Sequence, residues 1–191
     1  MRWMIRTPSN LTAGALAGAL LLAVAAPAPA AYGADDAPAV ARKAPRIWGA
    51  HWFNSKPLMP ADLAGRVTIV EFWAFECINC RRTLPAMRAL YERYRADSSV
   101  VIVGIHTPEL PIERDTEAVH RAVDSLGVRY PVVLDPGYVN WRAFDNQYWP
   151  ALYLIDRHGV IRDVHIGELH EGTDAWKSVL ERIETLRREK A

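Results

Sequence analysis

The stretch from Val67 to Trp73, VTIVEFW, constrains the fold of this sequence more than any other part. It is almost continuously apolar, which is typical of a strand that is buried on both faces in the middle of a parallel sheet. Residues 78–95 follow closely, and their apolar side chains recur at helical spacing. A buried strand that leads into an amphipathic helix predicts an α/β domain.

The rest of the chain continues this alternation. Further strands are predicted at 47–53, 100–105, 130–134, 151–155 and 160–166, and further helices at 113–126, at 139–144 and after Thr173, which can cap the last one. The turn at 156–159 joins the last two strands into a hairpin. We therefore expect a central, mostly parallel sheet with helices on both faces.

The first 45 residues differ in character from the rest. Two arginines precede an uncharged apolar run at 11–26, and the small residues at 28–30 suit signal peptidase. We expect a signal peptide at 1–30, a flexible linker at 31–45 and one folded domain at 46–191. The predicted location is periplasmic, or otherwise exported, and soluble after cleavage, whereas an uncleaved leader would tether the protein to a membrane.

The charge balance argues against a nucleic-acid binder. The sequence has 23 Lys and Arg against 22 Asp and Glu, a formal charge of +1. No run of basic residues is interleaved with aromatic ones, as nucleic-acid binding would require. We therefore expect no nucleic-acid partner.

The chain has two cysteines, Cys77 and Cys80. A disulfide across so short a loop restricts the unfolded chain little and would add little stability, so a structural role is not favoured. The pair lies at the predicted start of a helix, where free N–H groups and the helix dipole stabilise a thiolate. We predict that Cys77 is the more exposed, low-pKa nucleophile and that Cys80 is the buried thiol that resolves the mixed disulfide.

Residues 71–80, EFWAFECINC, resemble the active-site stretch of thioredoxins. Pro85 lies where that family has a helix-kinking proline, and Gly167 lies where its last strand has a glycine. Trp149-Pro150 resembles the family's cis-proline pair. The resemblance runs from about residue 46 to the C-terminus and implies a thioredoxin fold.

An extra helix and strand at about 107–134 are similar to the insertion of the TlpA/ResA-like and peroxiredoxin branches. Four phrases, CINCRRTLP, VGIHTPE, NQYWPALYLID and GVIRDVHIGE, are similar to the periplasmic thioredoxin-like domain of DipZ-type proteins. The resemblance implies a thiol–disulfide oxidoreductase that reduces protein disulfides, with a role in cytochrome c maturation or disulfide repair. Its implied partners are protein thiols and disulfides and a membrane electron-donor protein, and we expect a monomer.

Glu71 interrupts the apolar strand, and a buried carboxylate is costly unless it is neutral or paired. The resemblance implies that Glu71 lies behind the cysteines and moves the proton of Cys80, with a raised pKa. It also implies that Trp73 and Phe75 line the groove beside Cys77.

Trp149 and Pro150 are implied to face the disulfide and to pair with a bound partner strand. Glu76, His106 and Glu109 are candidates to tune the thiolate, because they precede the nucleophile or follow the second buried strand. No metal site is expected, and no cofactor beyond the Cys77–Cys80 disulfide.

Three alternatives remain open. Because Ile78-Asn79 replaces the Gly-Pro of thioredoxin and no lysine is found beside the expected position of Glu71, electron flow could run in the reverse, oxidising direction. A copper or zinc chaperone could use the two cysteines with a histidine such as His106, although zinc usually takes four ligands. A peroxiredoxin-like thiol peroxidase would need a threonine where Ala74 stands.

Overall fold

The computed structural model describes residues 41–190, and its elements follow in chain order. They are β1 Arg42–Lys43, β2 Trp52–Phe53, α1 Pro60–Leu63, β3 Val67–Trp73, α2 Ile78–Tyr94, β4 Val100–His106, a 3-10 helix Pro111–Arg114, α3 Thr116–Ser125, β5 Val132–Leu134, α4 Val139–Ala143, β6 Ala151–Ile155, β7 Val160–Ile166 and α5 Asp174–Arg188. The predicted signal peptide and most of the predicted linker lie outside the described residues.

The strands form one sheet in the order β1-β7-β6-β3-β4-β5-β2. The pairs β3–β4 and β4–β5 are parallel, and the other four pairs are antiparallel. The sheet is therefore mixed, which corrects the prediction of a mostly parallel one. The reason is that β6 of the β6–β7 hairpin pairs with β3 in the antiparallel sense. The two short edge strands are also antiparallel to their neighbours, β1 to β7 and β2 to β5.

The strand β3 lies at the centre of this sheet, and none of its seven residues is more than 2% exposed. Val67, Ile69 and Trp73 lie in the core that contains buried residues of α2, α3 and α5. Val70 and Phe72 belong to the core on the opposite face, which residues of α1 and α4 also join. Burial on both faces explains the apolar run, and the predicted α/β class with helices on both faces is confirmed.

Two predictions near the start of the domain differ from the structure. Arg42–Lys43, inside the predicted linker, forms the edge strand β1 beside β7. The strand predicted at 47–53 is reduced to β2. The backbone of Trp48, in the first part of the predicted strand, is bound by a side chain and not by a neighbouring strand. Its N–H donates to Asn140 Oδ1 at 2.8 Å, and Asn140 Nδ2 donates to its carbonyl at 2.7 Å.

The helix predicted at 113–126 is divided in two. Asp115 ends the 3-10 helix, and its Oδ1 accepts the Ala118 N–H at 2.7 Å, which makes it the N-cap of α3. The predicted cap of the last helix is confirmed, since Thr173 Oγ1 accepts the Trp176 N–H at 3.2 Å. None of the helices between residues 41 and 190 is both long enough and apolar enough to cross a bilayer.

Candidate functional site

The two cysteines lie at the junction between β3 and α2. Cys77 is the N-cap of α2, and its Sγ accepts the Cys80 N–H at 3.3 Å. Both side chains carry free thiols. Cys80 is completely buried, whereas Cys77 is 6% exposed and therefore less open than we expected for the nucleophile. The helix start thus brings the two sulfur atoms together at one edge of the sheet.

The surroundings of the two thiols act on them in opposite directions. The pKa of Cys77 is lowered, first by the hydrogen bond from the Cys80 thiol and also by backbone N–H groups at Cys80 and Asn79, while burial and the charge of Glu109 oppose this. The pKa of Cys80 is raised well above its usual range, first by burial and then by the sulfur of Cys77. The arrangement therefore makes Cys77 the more acidic of the two thiols and lets Cys80 keep its proton.

Glu71 lies on the same face of β3 as Trp73, toward α2, and is almost completely buried. Burial raises its pKa from 4.5 to about 7, against the lowering effect of a hydrogen bond from Tyr130. In that bond the Tyr130 hydroxyl donates to Glu71 Oε2 at 2.6 Å. The negative charge of Glu71 also raises the pKa of Cys80, so the carboxyl group is electrostatically coupled to the resolving thiol.

Gly104 makes the contact between Glu71 and Tyr130 possible. It pairs with Glu71 in the parallel register of β3 and β4, and Tyr130 comes from the segment just before β5, the next strand along. A Cβ atom at Gly104 would lie 3.0 Å from Tyr130 Cε2 and 3.0 Å from Trp73 Nε1. The missing side chain therefore leaves room for the tyrosine ring to reach across β4.

Trp73 and Phe75 do not line an open groove. Trp73 is completely buried, and its ring packs edge-on against His106, with ring centroids 5.1 Å apart. Phe75 is 8% exposed and stacks on the same imidazole at 5.6 Å. The prediction for Trp73 is wrong because the last residue of the central strand points into the core, and Phe75 presents only a small surface.

His106 is an internal support of the turn that carries Cys77. Its Nε2 accepts the Phe75 N–H at 3.3 Å, so this nitrogen is unprotonated. Burial lowers the pKa of His106 from 6.5 to about 4, which keeps the ring neutral. The Nε2 lone pair is thus already used, and among the described residues no three Cys, His, Asp or Glu side chains group in a way that could hold a metal ion.

Two candidate acids take different places around the turn. The negative charge of Glu109 raises the pKa of Cys77 against the larger lowering effects, and its tuning role stays a prediction. Glu76 has an exposed side chain and takes part through its backbone, because its N–H donates to Glu113 Oε1 at 2.7 Å. Glu113 Oε2 accepts the N–H groups of Glu109 and Leu110, each at 2.7 Å.

Sequence reasoning missed two buried residues of the site, Glu113 and Tyr130. Glu113 binds the turn before Cys77 to the loop after β4, and Tyr130 binds Glu71. The sequence pattern predicts Glu113 as the first residue of an amphipathic helix and gives no sign of its backbone contacts. Tyr130 is predicted as part of a strand, and its hydrogen bond to Glu71 depends on the register of strands that lie far apart in the sequence.

The loop before β6 completes the edge. The peptide bond between Trp149 and Pro150 is cis, as predicted. The indole of Trp149 packs 4.0 Å from that of Trp141, and its Nε1 donates to the Thr107 carbonyl at 3.0 Å. Trp149 is half-buried and Pro150 is buried. The Gly167 N–H donates to the Pro150 carbonyl at 3.0 Å, which ties the loop to the end of β7.

Comparison with known proteins places this chain in a family. The AhpC/TSA family matches residues 36–164. The protein DipZ of Mycobacterium bovis is 40% identical over 120 residues, which cover 61% of this chain and 17% of DipZ. The thiol-disulfide oxidoreductase ResA of Halalkalibacterium halodurans is 32% identical over 111 residues, which cover 58% of this chain and 59% of ResA.

The fold is shared with solved structures. The crystal structure of a thioredoxin-like superfamily protein matches with a TM-score of 0.67 and 27% sequence identity, over 78% of this chain and 98% of the other. The predicted thioredoxin fold and the predicted similarity to DipZ and ResA are confirmed. The chain spans less than two thirds of the length of either relative.

Proposed function

This chain belongs to the AhpC/TSA family, and we propose that it is a thiol–disulfide oxidoreductase that reduces disulfides in other proteins through Cys77 and Cys80. The observation that carries the proposal is the unequal environment of the two thiols. Cys77 accepts hydrogen bonds that favour its thiolate, whereas Cys80 is buried and retains its proton. This asymmetry is what a nucleophile and a resolving thiol require.

The first step is attack by the Cys77 thiolate on one sulfur of a partner disulfide. A bond forms between Cys77 Sγ and that sulfur, and the other partner sulfur leaves as a thiolate that takes a proton from water. Cys80 Sγ then attacks Cys77 Sγ and releases the second partner sulfur as a thiolate, which also takes a proton from water. The protein ends with a Cys77–Cys80 disulfide, and the partner gains two electrons and two protons.

The second step needs a base, because Cys80 must lose its proton as it attacks. Glu71 fits this role, since its pKa of about 7 lets the carboxyl group exchange a proton near neutral pH. Its charge already acts on Cys80. We propose that Glu71 takes the proton of Cys80, directly or through a water molecule, and later returns it.

The sequence also supports a proposal for the setting of this reaction. We propose that the chain is exported by the leader at 1–30 and works as a monomer in the periplasm or an equivalent compartment. A membrane electron-donor protein would then reduce the Cys77–Cys80 disulfide again. The name of the relative ResA, thiol-disulfide oxidoreductase, supports the same class of reaction.

The reduction potential of the Cys77/Cys80 couple tests both activity and direction. The full chain would be equilibrated with glutathione or dithiothreitol buffers and its free thiols counted. A value of about −270 mV or lower supports a reductant, whereas about −120 mV reverses the direction of electron flow. If no reversible disulfide forms, the oxidoreductase proposal fails.

Trapping provides the matched control. The Cys80→Ser variant would accumulate a mixed disulfide with a disulfide-bonded protein substrate, because the resolving thiol is gone. The Cys77→Ser variant would trap nothing. Equal trapping by the two variants would contradict the assignment of Cys77 as the nucleophile.

A further inference from the structure

The two oxygens of the Glu71 carboxyl group have different surroundings. Oε2 accepts the Tyr130 hydroxyl at 2.6 Å. Oε1 is buried and has no hydrogen-bond partner within the described residues. A buried polar atom without a partner is costly, and it calls for a functional explanation.

Tyr130 is itself fixed in place. Its ring is completely buried, lies across Gly104, and packs against Tyr91 with ring centroids 6.0 Å apart. Burial and the neighbouring carboxylate of Glu71 raise the pKa of Tyr130 well above its ordinary value. The hydroxyl therefore keeps its proton and serves only as a donor to Glu71.

We propose that Tyr130 is a positioning residue that holds Glu71 by Oε2, so that Oε1 alone exchanges a proton with Cys80. This inference rests on the proposed function. The tyrosine hydroxyl can donate to Oε2 when Glu71 is a carboxylate and also when Glu71 is an acid with its proton on Oε1. One hydrogen bond thus keeps the reacting oxygen fixed through the whole cycle.

The proton balance of the resolving step follows from this arrangement. Cys80 Sγ–H gives its proton to the Glu71 carboxylate at Oε1, and the sulfur forms its bond to Cys77 Sγ as the bond to the partner sulfur breaks. Glu71 is then a neutral acid, still bound through Oε2. When the disulfide is reduced again, Oε1 returns the proton to the thiolate of Cys80.

The charged and titratable groups that act on this pair come from three elements. Cys80 belongs to α2, Glu71 to β3, and Tyr130 to the segment before β5. Arg88 of α2 acts on Tyr130 and lowers its pKa slightly against the larger effect of burial. The charge of Cys80 also acts on Tyr130 directly and raises its pKa, so a Glu71→Gln background is needed to separate this direct effect from the one that passes through Glu71.

The Tyr130→Phe variant tests the inference, because it removes the hydroxyl and keeps the ring. Loss of a donor that favours the carboxylate raises the pKa of Glu71. The pH midpoint of the resolving step, measured in the full chain by stopped flow on a preformed mixed disulfide, should rise by about one pH unit. In a Glu71→Gln background the same substitution should move no midpoint.

The outcomes separate the inference from the function on which it rests. If wild-type protein reduces the substrate and Tyr130→Phe has an unchanged midpoint, the inference fails and the function stands. A change of the same size in the Glu71→Gln background would also overturn it, because Tyr130 would then act through packing. If the wild type forms no mixed disulfide, the proposed function fails instead.

A measurement without a substituted tyrosine keeps the inference testable if that variant does not fold. Infrared difference spectra between wild type and Glu71→Gln at pH 5 would report the carbonyl of protonated Glu71. A proton on Oε1 leaves Oε2 as a carbonyl bound to Tyr130, so we expect a lowered stretching frequency. The frequency of a free carbonyl would overturn the inference.

Discussion

The thiol pair shows at the scale of single residues how one side chain sets the chemistry of its neighbour. The largest effect on Cys77 is the hydrogen bond from the Cys80 thiol, ahead of the opposing effect of burial. The acidity of the nucleophile therefore depends on the residue that will later displace its partner. Loss of the Cys80 thiol should therefore raise the pKa of Cys77, even though no disulfide can then form.

This dependence predicts a difference between two substitutions. Cys80→Ala removes the donor, so the pKa of Cys77 should rise and its alkylation by iodoacetamide at pH 6 should slow by about fivefold. Cys80→Ser keeps a hydroxyl donor at the same place and should slow alkylation less. Thiolate absorbance across a pH titration measures the pKa of Cys77 in each variant. Equal pKa values in wild type and Cys80→Ala would contradict this dependence.

Gly104 makes a second prediction at this scale. In Gly104→Ala the new Cβ would press on Tyr130 and Trp73, each 3.0 Å away, inside a closely packed core. We expect a loss of about 1–3 kcal/mol in the free energy of unfolding, measured in urea. Gly137→Ala is the control, because its Cβ would meet only Val139 at 3.9 Å. Equal stability of the two variants would contradict the tight fit.

At the scale of elements, Glu113 joins two loops that the sheet leaves separate. Glu113 lies in the 3-10 helix, and its carboxyl group accepts three backbone N–H groups. They are those of Glu76, Glu109 and Leu110. Buried N–H groups need acceptors, and hydrogen bonds to a charged group are the stronger kind. The shape of this edge thus depends on one side chain outside the CxxC motif.

Removal of that side chain should loosen both loops together. Glu113→Ala leaves three N–H groups without their acceptor, and we expect the free energy of unfolding to fall by roughly 3 kcal/mol. Hydrogen exchange should accelerate at the amides of Glu76, Glu109 and Leu110. Glu113→Gln retains one acceptor oxygen and should show a smaller effect. Unchanged exchange at these amides would show that the carboxylate does not hold them.

The sequence predicts the elements whose pattern is local. The strands β3, β6 and β7 and the helix α2 match their predicted bounds within a residue, because hydrophobic periodicity specifies them. What it does not reveal is side chain–backbone contact over long separations. Asn140 replaces a strand partner for Trp48, and Asp115 divides a helix that looked continuous.

The same limit applies to the site. The positions of Cys77, Cys80 and Glu71 follow from the motif, since they lie within ten residues of one another. The hydrogen bond between Glu71 and Tyr130 spans 59 positions and depends on Gly104 lying between them in the register. No periodicity encodes that register, so the contact between Tyr130 and Glu71 could not be predicted, whereas the burial of Trp73 follows from the apolar run of β3.

At the scale of the whole molecule, two buried groups make folding depend on pH in opposite ways. Glu71 has a pKa of about 7 in the fold against 4.5, so the folded state binds more protons and stability falls as pH rises between these values. His106 has a pKa of about 4 in the fold against 6.5, so the unfolded state binds more protons and stability falls as pH decreases through this range.

These opposite slopes overlap between pH 4.5 and 6.5. The acids with lowered pKa values, Asp97, Asp156, Glu168 and Glu184, bind protons in the unfolded chain near and below pH 4.5, so their effect on stability is confined to the lower edge of this range and below. In this range the folded state binds about one proton more than the unfolded state at Glu71, and about one fewer at His106. The two contributions to the pH dependence of stability therefore cancel. The wild-type free energy of unfolding should therefore be nearly constant from about pH 5.5 to 6.5.

Single substitutions should reveal the hidden slopes, each about 3 kcal/mol over its full range. Glu71→Gln leaves only the histidine, so urea unfolding should show stability that rises with pH in this window. His106→Gln leaves only the carboxyl group, so stability should fall with pH, and the double variant should be flat again. Parallel pH curves for the two single variants would mean that these groups do not keep opposite protonation states in the fold, and the proton exchange assigned to Glu71 would then lose its physical basis.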